Sequence, residues 1–166
     1  MYEELKKSRA HSQLPASLAD GVHFSCTDCG ACCSGAPGKV RVSDKEIRII
    51  SQFRNQSEAE FRKAETRVVK GEVLLKEKAN GDCVFFVNNR CQIHEVKPRQ
   101  CRTYPFWFQN VRNDRSWKKT CKECPGIGQG EWYSPERIAE VIVDELSQPG
   151  STLRNPGSET GSLKTS

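Results

Sequence analysis

The sequence has no apolar run long enough to cross a membrane, and no apolar stretch follows the charges of Met1–Ala10 as it would in a secretory leader. The expectation is a cytoplasmic protein with no membrane partner, in a compartment where thiols stay reduced. Apolar residues are also scarce. They make up 36% of 166 residues and the mean hydropathy is −0.68, enough for one domain with a modest core. Several chemistries lack their signatures. There is no Walker loop, dinucleotide fingerprint or Ser/His/Asp arrangement, and the carboxylates are scattered with no pair forced together. A small core of this kind calls for staples, either disulfides or metal.

Cysteine is what the chain has in abundance, with nine in all. An odd count in a reducing compartment argues against a closed disulfide framework and for metal-binding thiols. Four of them, Cys26, Cys29, Cys32 and Cys33, fall within eight residues as C-x2-C-x2-C-C. Thiolates this close repel one another, and a soft or borderline cation relieves that repulsion. The first three have the spacing of bacterial ferredoxin ligands, and Cys124-Pro125 has the form of the remote fourth. The same spacing also fits part of a four-cysteine zinc site. In an extended chain Cys32 and Cys33 point opposite ways, which predicts that they do not share one tetrahedral ion. His94 follows Cys91 by three residues, a zinc-like interval, although thiols alone already suffice as ligands. Cys121-x2-Cys124 is also the spacing of a redox pair, without that motif's strand-to-helix setting.

Around the cysteines the periodicity predicts an α+β domain over 23–148, with two or three helices packed around a cysteine-bearing hairpin. A polar segment over 1–22, with a short helix through Tyr2–Ala10, precedes it. A disordered tail from 149 to 166, rich in Pro, Gly, Ser and Thr, follows it. Ser43-x-x-Glu46 is a capping box opening a helix over 44–54 with Ile47, Ile50 and Phe53 on one face. Ser57-x-x-Glu60 opens a second, with Phe61, Ala64 and Val68 on its face and Gly71 as its stop. The period then changes. Val73–Lys78, Asn80-Gly81-Asp82 and Cys83–Val87 read as a hairpin, and Asn88-Asn89 is a second turn leading to Cys91. The last helix starts at Ser134-Pro135 and buries Ile138, Val141, Ile142 and Leu146.

The net charge of +5 is concentrated. Between Lys97 and Lys122 stand Arg99, Arg102, Arg112, Arg115, Lys118 and Lys119, opposed by Asp114. Tyr104, Phe106, Trp107, Phe108 and Trp117 are interleaved with them. This stretch, 97–122, is a candidate surface for a protein partner or a solvated face that balances anionic thiolates. A nucleic-acid platform is disfavoured, because the Phe-Trp-Phe run is consecutive and reads as core or as a shield for a cluster.

Taken together, Cys26–Cys33, Gly81-Asp-Cys83-Val-Phe, Cys91-x-Ile93, Pro98-x-x-Cys101-Arg102-x-Tyr-Pro-Phe-Trp107 and Cys124-Pro-Gly-Ile-Gly-x-Gly130 resemble the CxxCxxCC (YkgJ-like) family of cysteine-cluster proteins, described as a zinc- or iron-chelating domain. The resemblance covers roughly 25–145 and implies metal ligation by Cys26, Cys29, Cys32, Cys33, Cys83, Cys91, Cys101 and Cys124. It leaves Cys121 as the spare thiol. The family usually has Tyr where His94 stands and Arg where Lys97 stands, so His94 inherits no ligand role. Flagellin lysine methylases carry a similar cluster, but no separate methyl-donor fold is visible here. The expected cofactor is a [4Fe–4S] cluster with a redox or electron-transfer role. Zinc in a structural interaction module, mononuclear iron, and a cluster-dependent protein-modifying enzyme are the alternatives.

Overall fold

A computed structural model describes residues 13–34 and 39–147. The helix expected through Tyr2–Ala10 and the tail from 149 lie outside the described residues. Within them the architecture is α+β. Six α-helices surround three separate two-stranded antiparallel sheets.

The capping boxes act as expected. Ser43 opens α1 (Asp44–Phe53) and Ser57 opens α2 (Glu58–Glu65), each side chain accepting from the backbone of the Glu three residues on, which caps it in return. Ile47 and Ile50 are fully buried on α1, whereas Phe53 is 42% exposed and Ser51 takes the third buried place, its hydroxyl turned back to the Ile47 carbonyl.

The second helix is shorter than its periodicity suggested. It ends at Glu65, and Thr66–Val69 becomes β2, paired with β3 (Glu72–Leu75) in the register Thr66↔Leu75 and Val69↔Glu72. Lys70 and Gly71, both at positive φ, form the turn, so Gly71 is a hairpin residue and not a helix stop. The β-branched run Thr-Arg-Val-Val explains the switch, since those side chains pack better on a pleated strand. Val68, expected on the buried helix face, is 69% exposed.

With β3 taken by β2, the expected pairing of 73–78 with 83–87 shrinks to one bridge, Glu77↔Cys83. Asn88 and Asn89, both at positive φ, close a second small hairpin between β4 (Phe86–Val87) and β5 (Arg90–Cys91). The basic stretch then folds as three helices that the sequence reading had not assigned: α3 (Arg99–Arg102), α4 (Phe108–Val111) and α5 (Asp114–Glu123). Two or three helices was therefore too few. Asn113 is the N-cap of α5, its side chain accepting from Ser116 N at 2.8 Å. Strand β6 (Glu131–Tyr133) returns to pair with β1 (Val22–Phe24), and α6 (Pro135–Leu146) closes the domain from its Ser134 cap.

Burial divides into two clusters. One gathers Leu18, Phe24, Phe106, Val111, Trp117, Cys124, Ile138 and Ile142, from both ends of the described chain. The other gathers Val42, Ile47, Ile50, Phe61, Leu75, Phe85 and Ile93, all from its middle. The aromatic run is thereby split, with Phe106 in the core and Phe108 36% exposed. Phe106 is stacked on Trp117 in the first cluster, with ring centroids 6.0 Å apart, and both are buried where they cannot stack on bases.

Candidate metal centre

Four segments carry the cysteines to one place. The loop Cys26–Cys33 follows β1 and ends in a 3-10 turn, Ala31–Cys33. Cys83 and Cys91 flank the β4–β5 hairpin, Cys101 lies on α3, and Cys124 caps the end of α5.

Backbone contacts pin the loop along its length. Ser25 N donates to Gly126 O at 3.1 Å and Gly128 N to His23 O at 2.8 Å, tying the loop entrance to the Cys124-Pro-Gly-Ile-Gly turn. A Cβ on Gly126 would stand 2.2 Å from Ser25 O, so this approach requires glycine. In the middle, Gly30 adopts φ +75° and lies against the Phe86 ring, where a Cβ would come within 2.0 Å. At the exit Cys83 N donates to Cys33 O at 2.8 Å.

The result is a cavity of about 60 Å³ lined by Cys26, Cys29, Cys32, Cys33, Cys83, Cys91, Cys101 and Cys124. These are the eight cysteines of the family resemblance. Cys121 is exposed on α5 and does not line it. Exposure is graded: Cys26, Cys29 and Cys32 are exposed at the rim, and Cys124 is buried. Phe24, Leu75, Ile93, Pro98 and Tyr104 complete the walls. Phe106, Trp107 and Phe108 do not, so the shielding role considered for that run falls to other residues.

Cys32 and Cys33 differ from expectation. The 3-10 turn brings their sulfurs to 3.9 Å, and both line the cavity. Two thiolates bound to one zinc at ~2.3 Å in tetrahedral geometry stand about 3.8 Å apart, so adjacency in sequence does not forbid a shared ion here. The prediction of opposite directions assumed an extended chain.

The thiols are not equivalent. The Cys33 thiol hydrogen-bonds both Cys32 and Cys91, and this brings each of those two down to about 7, against the opposing effect of burial. Cys33 itself is pushed up, because its proton is shared with two sulfurs. Burial raises Cys83, Cys101 and Cys124. Lys97 is a cation facing this group, and its charge favours the thiolate of Cys32 and of Cys91. Asp28 also lines the cavity, held at φ +54°, and its Oδ1 is buried with no hydrogen-bond partner. Clustered thiols and an orphaned carboxylate oxygen suit a cationic guest. The eight cysteines share one cavity, although among the described residues no group of three His, Cys, Asp or Glu side chains is placed closely enough to hold one metal ion.

His94, which the resemblance left without a role, lines the same cavity, with Nε2 3.3 Å from Cys26 Sγ. Asp28 was not singled out from sequence. Its signal, a polar residue between two cysteines of the motif, is indistinguishable from an ordinary loop residue.

Comparison with known proteins points to metal chelation. A sequence model of the CxxCxxCC family, described as "Putative zinc- or iron-chelating domain", matches residues 25–125. An uncharacterized protein of Methanocaldococcus jannaschii is 30% identical over 98 residues, 58% of this chain and 51% of that protein. The chain thus spans about half the length of this curated relative. No solved structure matches. Among the described residues no helix is long and apolar enough to cross a membrane.

Proposed function

This chain belongs to the CxxCxxCC family, and we propose that its eight cavity cysteines form a metal site that takes a [4Fe–4S] cluster on four of its thiolates and serves in electron transfer. The observation that carries this reading is the convergence of eight of nine cysteines, from four separate segments, on one cavity while the ninth stays outside. Size argues in the same direction. One water needs ~10–15 Å³ of such space, and a cavity of about 60 Å³ has room for more than a single closely held ion. The spacing Cys26, Cys29, Cys32 with a remote Cys124-Pro125 adds the ferredoxin-like pattern.

When bound, such a cluster supplies one-electron redox chemistry. The protein's part is to hold and insulate it. Phe24, Leu75, Ile93 and Tyr104 keep water from the inner wall, while exposed Cys26, Cys29 and Cys32 leave the rim close to solvent, where a partner can approach.

Anaerobic reconstitution with iron and sulfide tests this. A broad visible band that bleaches on reduction, with four irons per cluster, is the expected result. Uptake of zinc alone, stoichiometric and restoring the fold, would overturn it. That outcome is the second reading, a structural zinc module, and the 3.9 Å separation of the Cys32 and Cys33 sulfurs favours it.

A further inference from the structure

At the rim of the cavity three side chains meet in a triangle. Cys26 Sγ lies 3.3 Å from His94 Nε2. Lys97 Nζ donates to Cys26 Sγ at 3.5 Å and approaches His94 Nε2 to 3.3 Å. An ammonium has three donors and no acceptor, so Nε2 receives this contact through its lone pair. The sulfur and the imidazole nitrogen therefore already direct lone pairs at one shared cation, and that cation is the protein's own lysine. Their separation also fits a shared metal: a sulfur at ~2.3 Å and a nitrogen at ~2.0–2.1 Å from one tetrahedral ion stand about 3.5 Å apart.

The backbone explains why the pair forms. The 3-10 turn His94–Val96 follows the buried anchor Ile93 and precedes the buried Pro98, so His94 and Lys97 are carried on a short, tightly held segment. Across the cavity mouth, Cys26 is fixed by the bond between Ser25 and Gly126.

We propose that His94 is a metal ligand in this chain, paired with Cys26 through Nε2, and that the Lys97 ammonium occupies the metal's place until the metal arrives. The proposal rests on the reading that the cavity holds metal, and adds a nitrogen donor to an otherwise thiolate set. His94 takes the role of donor and Lys97 that of a displaceable cation.

The test loads the full chain, with 15N-labelled histidine, with 113Cd2+ alone and records cadmium and nitrogen NMR. The chain has three histidines, so assignment by substitution is direct. The expected result is one cadmium resonance split by a directly bonded imidazole nitrogen. The splitting should vanish in His94→Gln, while His94→Cys keeps the wild-type cadmium content without it. Lys97→Met should bind Cd2+ at least as tightly as the wild type. Bound cadmium with no nitrogen splitting in the wild type, or splitting that survives in His94→Gln, would overturn the proposal and leave the metal reading standing. A tenfold or greater loss of affinity in Lys97→Met would overturn it too, since the ammonium would then be a partner of the loaded site. Absence of any bound cadmium would remove both readings.

Discussion

The two hydrophobic clusters are built in opposite ways. The middle cluster is local. Two capped helices and a tight hairpin bring Ile47, Ile50, Phe61 and Leu75 together within about thirty residues, so each contact closes a short loop at small entropic cost. The other cluster joins Leu18 and Phe24 to Ile138 and Ile142 across almost the whole described chain. The cysteine cavity lies between them. Phe24, Tyr104 and Cys124 belong to or pack on the long-range cluster, while Leu75, Ile93, Cys83 and Cys91 belong to or pack on the local one. A metal held there ties together two cores, each too small to be secure alone.

Removing the metal should break this link and have the largest effect. Structural metal sites contribute on the order of 10 kcal/mol of apparent folding free energy. Chelator-treated protein should lose its single cooperative melting transition, with the long-range cluster giving way first. In a Trp107→Phe, Trp132→Phe background tryptophan fluorescence comes from Trp117 and reports that cluster, while far-ultraviolet circular dichroism reports the helices. One unchanged transition would mean the two cores hold each other without help.

Single cysteines sharpen the same contrast. Cys101→Ser or Cys124→Ser should empty the site, while Cys121→Ser should keep its metal content and its melting curve. Metal analysis of the purified variants decides. Loss of metal in Cys121→Ser with retention in Cys124→Ser would reverse the assignment.

Truncating one ring in each cluster comes next. Phe61 stacks on Phe85 with centroids 5.9 Å apart, and Phe106 stacks on Trp117. Phe61→Ala and Phe106→Ala should each cost about 3–5 kcal/mol in denaturant unfolding of the loaded protein. In the metal-free protein, Phe61→Ala should leave the Trp117 signal unmoved, because the clusters no longer communicate.

Acid should loosen the link gradually. Cys32 and Cys91 lose protons near 7, held down chiefly by the hydrogen bond from Cys33. Metal needs the thiolates, so its affinity already falls with pH while the raised thiols Cys33, Cys83, Cys101 and Cys124 hold protons, and falls more steeply once pH drops through about 7 and Cys32 and Cys91 are protonated too. Below that point each proton that the metal displaces should cost about tenfold per pH unit, or ~1.4 kcal/mol. Chelator competition across a pH series measures the slope, and a flat profile would contradict a thiolate site.

The smallest effect tests the local cluster's own support. Ser43→Ala removes the cap of α1 and should cost about 1 kcal/mol without changing metal content. A loss of metal in that variant would show that α1 also positions the cavity.

The sequence alone determined what depends on near neighbours. Both capping boxes, the Asn88-Asn89 turn and the start of the last helix were legible because a side chain and a backbone group three residues apart, or a pair of left-handed residues, settle each of them locally. The cavity's cysteine set was legible too, through the spacing of Cys26–Cys33 and the family resemblance. Tertiary structure alone decided the rest. Thr66–Val69 left the helix because a strand partner was present at Glu72–Leu75. Cys32 and Cys33 face one cavity because a 3-10 turn, braced by Gly30 against Phe86, replaces the extended chain. His94 reaches Cys26 across 68 residues, and Asp28 is left with a buried, unpartnered oxygen. Apart from the β-branched residues of Thr66–Val69, which favour a strand locally, none of these has a local signature, because each is set by which distant surface the chain meets.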